Sequence, residues 1–125
     1  MTKILLILLL SSVTCLSKQY NAIVTRVIDG DTFECNVDLG LDVTKKEAVR
    51  IYGIDAPEMK TPEGKKSYEF LNKALSDKQI LIDNMDDKRE KYGRLLCKVY
   101  LDAKDVGSVM IKAELAKEYY GGKRK

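Results

Sequence analysis

The sequence predicts a mainly β domain with helices, a small five-stranded barrel carrying two helices, and three observations lead there. Short segments rich in β-branched residues recur along the chain, some alternating apolar and polar residues. Two other stretches carry a helical period, the first behind a clear start signal. The order is three strands, a helix, two strands and a helix. A parallel α/β sheet would instead alternate strand and helix throughout. With 125 residues there is room for one domain only.

The elements follow in order. Ile23, Val24, Thr25, Val27 and Ile28 make residues 22–28 the first strand. Asp29-Gly30 forms a tight turn into residues 32–37, which alternate with period two. A turn around Gly40 leads to a third strand over residues 47–52, and Gly53 and Pro57 close it and open a loop. Thr61 is the N-cap of the first helix, with Pro62 at its first position. Tyr68, Leu71, Ala74 and Leu75 then share one helical face until Ser76-Asp77. Residues 79–83 form the fourth strand, residues 85–91 a charged loop, and residues 95–101 the fifth strand. A turn at residues 102–105 leads to a second helix over about residues 106–117, with Val109, Ala113 and Ala116 on one side. Tyr119 to Lys125 reads as a flexible basic tail. This element order is that of an OB-fold barrel.

Residues 1–17 differ in composition. Lys3 precedes an unbroken apolar run over residues 4–10, followed by small and polar residues to Ser17. A positive start, a short apolar core and a small-residue exit predict a signal peptide, cleaved after Ser17, with a secreted or periplasmic domain over residues 18–125. Seven apolar residues fall far short of the roughly 20 of a spanning helix. Lipid attachment at Cys15 is the weaker reading, because Ser12-Val13-Thr14 matches a lipoprotein box poorly. Cys35 and Cys97 remain in the mature chain, both at apolar strand positions. A disulfide in an oxidising compartment and two inert buried thiols are both open.

Composition excludes more than it assigns. The chain has no histidine, so Ser-His-Asp triads, histidine acid–base pairs and imidazole-ligated zinc are all ruled out. Chemistry must run on carboxylates, tyrosine, lysine and arginine, and oxygen ligands favour calcium, magnesium or manganese. A net charge of +3 is too small to name a partner.

Three segments carry the chemistry: Asp29-Gly30-Asp31-Thr32, then Arg50 with Ile54-Asp55-Ala56-Pro57-Glu58, then Lys91-Tyr92-Gly93-Arg94. They place Asp31, Asp55 and Glu58, together with two arginines, at strand ends and turns. Two close carboxylates resist joint ionisation unless a cation sits between them. A guanidinium's planar fork fits phosphate oxygens two at a time. This is an inventory for holding a hard cation against a phosphodiester and cleaving it with water. Alone, Asp29-Gly30 would be a hairpin turn and Arg50 a solvated strand residue; it is their coincidence that points to a site.

On these segments, with Asp87 also in register, the chain resembles the staphylococcal-nuclease-type thermonucleases from about Ile23 to Ala116. The resemblance implies an OB fold and calcium-dependent hydrolysis of DNA and RNA, with little sequence preference and 3′-phosphate products. It implies that Asp31, Asp55 and the backbone carbonyl of Ala56 bind Ca2+. Glu58 then positions or deprotonates the attacking water, and Arg50 and Arg94 grip the scissile phosphate. Lys91 and Tyr92 fall beside a neighbouring phosphate, and Tyr119 or Tyr120 where relatives stack a base. Relatives often carry a further C-terminal helix, so a shortened C-terminus is expected. Glu114 stands where they favour glycine, so the end of the second helix is expected to differ. A monomer with nucleic acid as its partner and no membrane span in the mature form completes the expectation. The competing reading is a nucleic-acid-binding OB domain without catalysis, which has no need of two metal carboxylates, Glu58 and both arginines. A calcium-stabilised structural domain leaves the arginines unexplained.

Overall fold

A computed structural model describes residues 17–85 and 89–120. Its elements are β1 (Ser17–Asp29), β2 (Thr32–Gly40), β3 (Val43–Ile51), β4 (Gly53–Asp55), α1 (Pro62–Leu75), β5 (Gln79–Met85), β6 (Leu95–Leu101), β7 (Lys104–Asp105), α2 (Val106–Lys112) and β8 (Lys117–Tyr119). Strands β3, β2, β1, β5 and β6 pair in that order, and a parallel β3–β6 pairing at Val49↔Leu95, Arg50↔Leu96 and Ile51↔Cys97 closes the ring. The result is the predicted five-stranded OB-fold barrel with two helices.

Closure depends on β1. Its first half pairs with β5 from Ser17↔Met85 to Ile23↔Gln79, and its second half with β2 from Ala22↔Val37 to Asp29↔Thr32. Register shifts between Val24 and Arg26 and between Val27 and Asp29 bend the strand, which lets one strand serve both sides of the barrel. The end of α1 is tied to the same bend. Val24 donates to the Lys78 carbonyl at 3.0 Å, and the Asp77 amide donates back to Val24 at 3.1 Å.

Alternation decides the interior. Phe33, Cys35 and Val37 of β2, Val49 and Ile51 of β3, and Cys97 and Val99 of β6 are all buried. Helix α1 lays Leu71 and Leu75 on this core, the face its spacing predicts, with Tyr68 and Ala74 half-buried beside them. Burying each such large side chain contributes about 1.5–3 kcal/mol relative to exposure. Cys35 and Cys97 are free, fully buried thiols, and burial pushes both up to about 12.

The C-terminal part departs from expectation. Helix α2 ends at Lys112, not near residue 117, and its buried face is Val106, Gly107 and Met110. Val109 and Ala113 face solvent, and Ala116 is buried only after the helix has ended. Glu114 stops it by adopting φ +60, with its amide bonded to the Ile111 carbonyl at 3.0 Å and that of Leu115 to Met110 at 2.8 Å. The chain then forms β8 against β4, so Tyr119 is not part of a flexible tail. Neither of these three-residue strands carries a period that sequence reading can detect. Residues 1–16, with the predicted signal segment and Cys15, lie outside the described residues, as do Asp87 and residues 121–125. Among the described residues no helix is long and apolar enough to cross a membrane.

Candidate active site

The three segments meet at one end of the barrel because of strand register. Asp29 pairs with Thr32 across the β1–β2 turn, and Thr32 pairs in turn with Arg50 on β3. The Asp31 amide donates to Asp29 Oδ1 at 3.0 Å, which holds the turn, and the Ile51 amide donates to the Asp31 carbonyl at 2.9 Å. Gly30 is buried, and a Cβ there would come within 2.7 Å of the Ala56 Cβ and 2.8 Å of the Ser67 Cβ. The absence of that methyl lets the Asp31 turn lie against both the post-β4 loop and α1.

Asp31 is 5% exposed. Its Oδ2 accepts from the Ala56 amide at 2.9 Å, and its Oδ1 from Thr32 Oγ1 at 3.0 Å. Burial pushes its carboxyl above the usual range, reinforced by Asp29, and the Arg50 charge and the Ala56 amide offset this only in part. Arg50 stands between two carboxylates, with Nη1 3.6 Å from Asp31 Oδ2 and Nη2 3.5 Å from Asp55 Oδ1. Its Nη1 also donates to the Ile54 carbonyl at 2.8 Å and the Ile51 carbonyl at 3.1 Å. The strand therefore aims a half-buried guanidinium that a solvated β-face arginine would not have.

Arg94 is held differently. Its Nε donates to Glu90 Oε1 and its Nη2 to Glu90 Oε2, both at 2.9 Å, while Nη1 reaches Thr32 Oγ1 at 3.2 Å. Glu90 Oε1 also accepts from the amides of Tyr92 at 2.9 Å and Arg94 at 3.1 Å. Arg94 holds the Glu90 carboxyl down at about 2. Thr32 joins the two halves of the site, receiving from Arg94 and donating to Asp31. Neither Glu90 nor Thr32 was singled out from sequence for this work. The signal for Glu90 was a lone carboxylate four residues before Arg94, which becomes meaningful only once the turn folds it back.

Arg50, Arg94, Lys91, Tyr92, Tyr119 and Tyr120 all line one cleft of about 560 Å³. Lys91 Nζ lies 5.1 Å from the centre of the Tyr92 ring and the Arg94 guanidinium 5.6 Å from it. Both predicted arginines and all four predicted substrate contacts are thus brought together. Asp55, Ala56 and Glu58 line a different cleft, of about 650 Å³, between the start of α1 and the end of α2. Asp55 belongs to both halves through Arg50.

Glu58 has its backbone fixed and its carboxylate in solvent. Its carbonyl accepts from Thr61 Oγ1 at 2.7 Å and from the Thr61 amide at 3.0 Å, and Thr61 Oγ1 in turn caps α1 by accepting from the Gly64 amide at 2.9 Å. A Cβ on Gly64 would fall 1.8 Å from the Glu58 carbonyl oxygen, so only glycine lets the helix start so close. The side chain is two-thirds exposed, with Lys60 Nζ 3.9 Å from Oε1. It is not in contact with the arginines.

The donor set suits a hard cation. Among the described residues no group of three or more Asp, Glu or Cys is gathered around one point. Each Asp31 oxygen makes one hydrogen bond and keeps a further lone-pair direction. One guanidinium does not fully offset the burial of Asp31, which leaves a demand for positive charge that a divalent ion meets. Carboxylate and carbonyl oxygens of this kind suit a hard divalent cation.

The family model for staphylococcal nuclease homologues matches residues 48–125. The chain is 35% identical over 113 residues to the endonuclease YncB of Bacillus subtilis, across 82% of this chain and 50% of that protein. It is 32% identical over 115 residues to an uncharacterised endonuclease of Escherichia coli, across 91% and 71%. With a thermonuclease of Staphylococcus intermedius it shares 36% identity over 102 residues, across 77% and 55%. It therefore spans between half and about seven-tenths of the length of these relatives.

Proposed function

Since the chain belongs to the staphylococcal nuclease family of phosphodiester hydrolases, we propose that it is a calcium-dependent endonuclease acting on DNA and RNA with little sequence specificity. The observation that carries this reading is the single cleft lined by both arginines, Lys91 and four tyrosines, with Arg50 joined to the carboxylates of Asp31 and Asp55.

In this reading Asp31, Asp55 and the Ala56 carbonyl hold Ca2+, which when bound supplies positive charge to the phosphate and lowers the pKa of water. Glu58 accepts a proton from the attacking water on a carboxylate oxygen. Its exposure supports that role, because water must reach it. Arg50 and Arg94 bind phosphoryl oxygens, and their hold tightens as phosphorus gains a fifth ligand and its equatorial oxygens gain charge. Arg94 exchanges a Glu90 oxygen for a phosphate oxygen as substrate enters, so Glu90 presets the fork before substrate arrives. The 5′ oxygen departs with the electron pair of its bond to phosphorus and takes a proton from solvent, leaving a 5′-hydroxyl and a 3′-phosphate. Tyr92 and Tyr120, both exposed, offer rings to bases, and Lys91 offers a charge to the next phosphate.

The test is direct. Purified residues 18–125 are incubated with plasmid and with RNA, with calcium or with a chelator. Cleavage of both only with calcium is expected, and intact substrate under every condition overturns the reading. Export through the Lys3 and residues 4–10 segment is part of the proposal. It predicts a mature N-terminus near Lys18 in exported material, and recovery only of the uncleaved chain in the cytoplasm contradicts it.

A further inference from the structure

The cleft holding the two arginines adjoins a second, of about 350 Å³, and the two share Tyr52, Gly53, Ile54 and Tyr120. Both volumes are of ligand-pocket size, roughly 300–1,000 Å³. The wall between them is an aromatic pair. Tyr52 leaves the end of β3, and its amide donates to the Cys97 carbonyl at 2.7 Å, which anchors it to the barrel. Tyr120 follows β8, whose pairing of Tyr119 with Gly53 brings it over Tyr52. The ring centres are 5.5 Å apart with planes inclined by 57°. Tyr52 is half-buried and Tyr120 is 65% exposed, so one ring braces the other.

The far cleft offers a cation. Lys98 lines it from β6, next to Cys97, and Ser108 lines it from α2. Its one carboxylate among the described residues, Asp105, is engaged locally, with Oδ1 accepting from the Gly107 amide at 3.0 Å and the Ser108 amide at 3.4 Å. A positive charge beyond an aromatic ridge, on the side away from Arg50 and Arg94, repeats the pattern by which single strands are held without sequence readout: rings for bases, lysines for phosphates.

We infer that this second cleft is a further subsite for single-stranded nucleic acid, in which the strand continues past the tyrosine ridge, a base lies on Tyr52 and a phosphate meets Lys98. The inference rests on the nuclease reading for its ligand, but its test does not depend on cleavage. A strand reaching the subsite must be longer than one spanning the arginine cleft alone. The affinity of a long oligonucleotide relative to a short one therefore reports contacts beyond the first nucleotides, and Lys98, which lines the second cleft and not the first, singles out the subsite among them.

Fluorescein-labelled oligothymidylates and oligouridylates, each as a dinucleotide and an octanucleotide, are titrated by anisotropy in EDTA against the wild type, Tyr52→Leu, Tyr52→Phe and Lys98→Gln. The ratio of octanucleotide to dinucleotide affinity falls by about fivefold or more in Tyr52→Leu, and Tyr52→Phe, which keeps the ring, restores it. Lys98→Gln lowers the same ratio and reduces the slope of log affinity against log salt for the octanucleotide by about 0.7. Lys98 is a partly exposed strand residue, so its variant decides the matter even where Tyr52→Leu fails to fold. A fall with one kind of probe alone assigns the subsite to that nucleic acid. Ratios unchanged for both probes in Lys98→Gln and in folded Tyr52→Leu overturn the subsite. Plasmid cleavage by the wild type with calcium is scored in parallel. Loss of the ratio without any cleavage keeps the subsite and rejects the nuclease reading; cleavage with unchanged ratios does the reverse.

Discussion

Arg94 and Glu90 face each other fork to fork, Nε on Oε1 and Nη2 on Oε2, each at 2.9 Å. A guanidinium held this way keeps its plane and its charge, and its Nη1 is left to Thr32. Arg94→Lys keeps the charge and loses the plane. The expected result is a fall in kcat of about 10³–10⁵, by comparison with arginine fingers, with a smaller change in KM. Glu90→Gln keeps one hydrogen bond and frees the arginine, so kcat falls by less. Steady-state kinetics on a defined oligonucleotide decide it, and a wild-type kcat in folded Arg94→Lys contradicts the assigned role. Arg50→Lys is expected to behave like Arg94→Lys, and it also loses the bridge between Asp31 and Asp55.

Asp31 is strained electrostatically when no cation is bound, because burial raises its pKa more than Arg50 lowers it. A carboxyl whose folded pKa is raised destabilises the fold above that pKa, and the penalty vanishes below its ordinary value of 3.8. Asp31→Asn is therefore expected to melt higher than wild type at pH 7 in chelator, with the advantage gone below about pH 3.8. Calcium should raise the Tm of wild type but not of Asp31→Asn. A variant less stable than wild type in chelator at pH 7 would count against this account.

Glu47 and Glu90 work in the opposite direction. Arg89 holds Glu47 at about 2, and Arg94 does the same for Glu90, against an ordinary value of 4.5. Both contributions are complete above about pH 4.5 and are lost as pH falls toward 2. Urea denaturation from pH 6 to pH 2 should show stability falling steeply over that window. Glu47→Gln and Glu90→Gln should each flatten it.

Glu58→Gln removes a base and keeps a hydrogen-bonding side chain of the same size. Its exposed position predicts an unchanged Tm, calcium titration close to wild type, and kcat lower by about 10²–10⁴. Gly64→Ala, two residues past Pro62, should lose rate for a different reason, since its methyl displaces the Glu58 carbonyl and with it the loop. Reduced Tm accompanies that loss, which separates the two variants.

Glu114 ends α2 in a left-handed conformation that costs a side-chain-bearing residue roughly 1–2 kcal/mol and glycine little. After the greater entropy of glycine in the unfolded chain, Glu114→Gly should stabilise the protein by about 0.5–1 kcal/mol. The midpoint of urea unfolding measures it, and a lower midpoint contradicts the strain.

Local chemistry was legible wherever a residue type has one dominant use. The Asp29-Gly30 turn, the Thr61-Pro62 helix start, the Leu71–Leu75 face and the strand over residues 95–101 could all be read from neighbours in sequence, because turns, caps and periodicity are short-range. The site residues were legible as types: carboxylates for a cation, arginines for a phosphate. Their partners were not. Glu90 on Arg94, Thr32 between Arg94 and Asp31, and Arg50 between Asp31 and Asp55 arise from the parallel closure of β3 on β6 and from a turn that folds back on itself. The pairing of β4 with β8, which turns a presumed tail into the base of an aromatic ridge, has the same origin. A three-residue strand carries no period of its own, and its hydrogen bonds exist only once distant segments meet. The sequence by itself therefore determined the inventory and the fold class, whereas the tertiary structure alone decided which charge faces which, because Coulomb and hydrogen-bond energies depend on distances that chain closure sets.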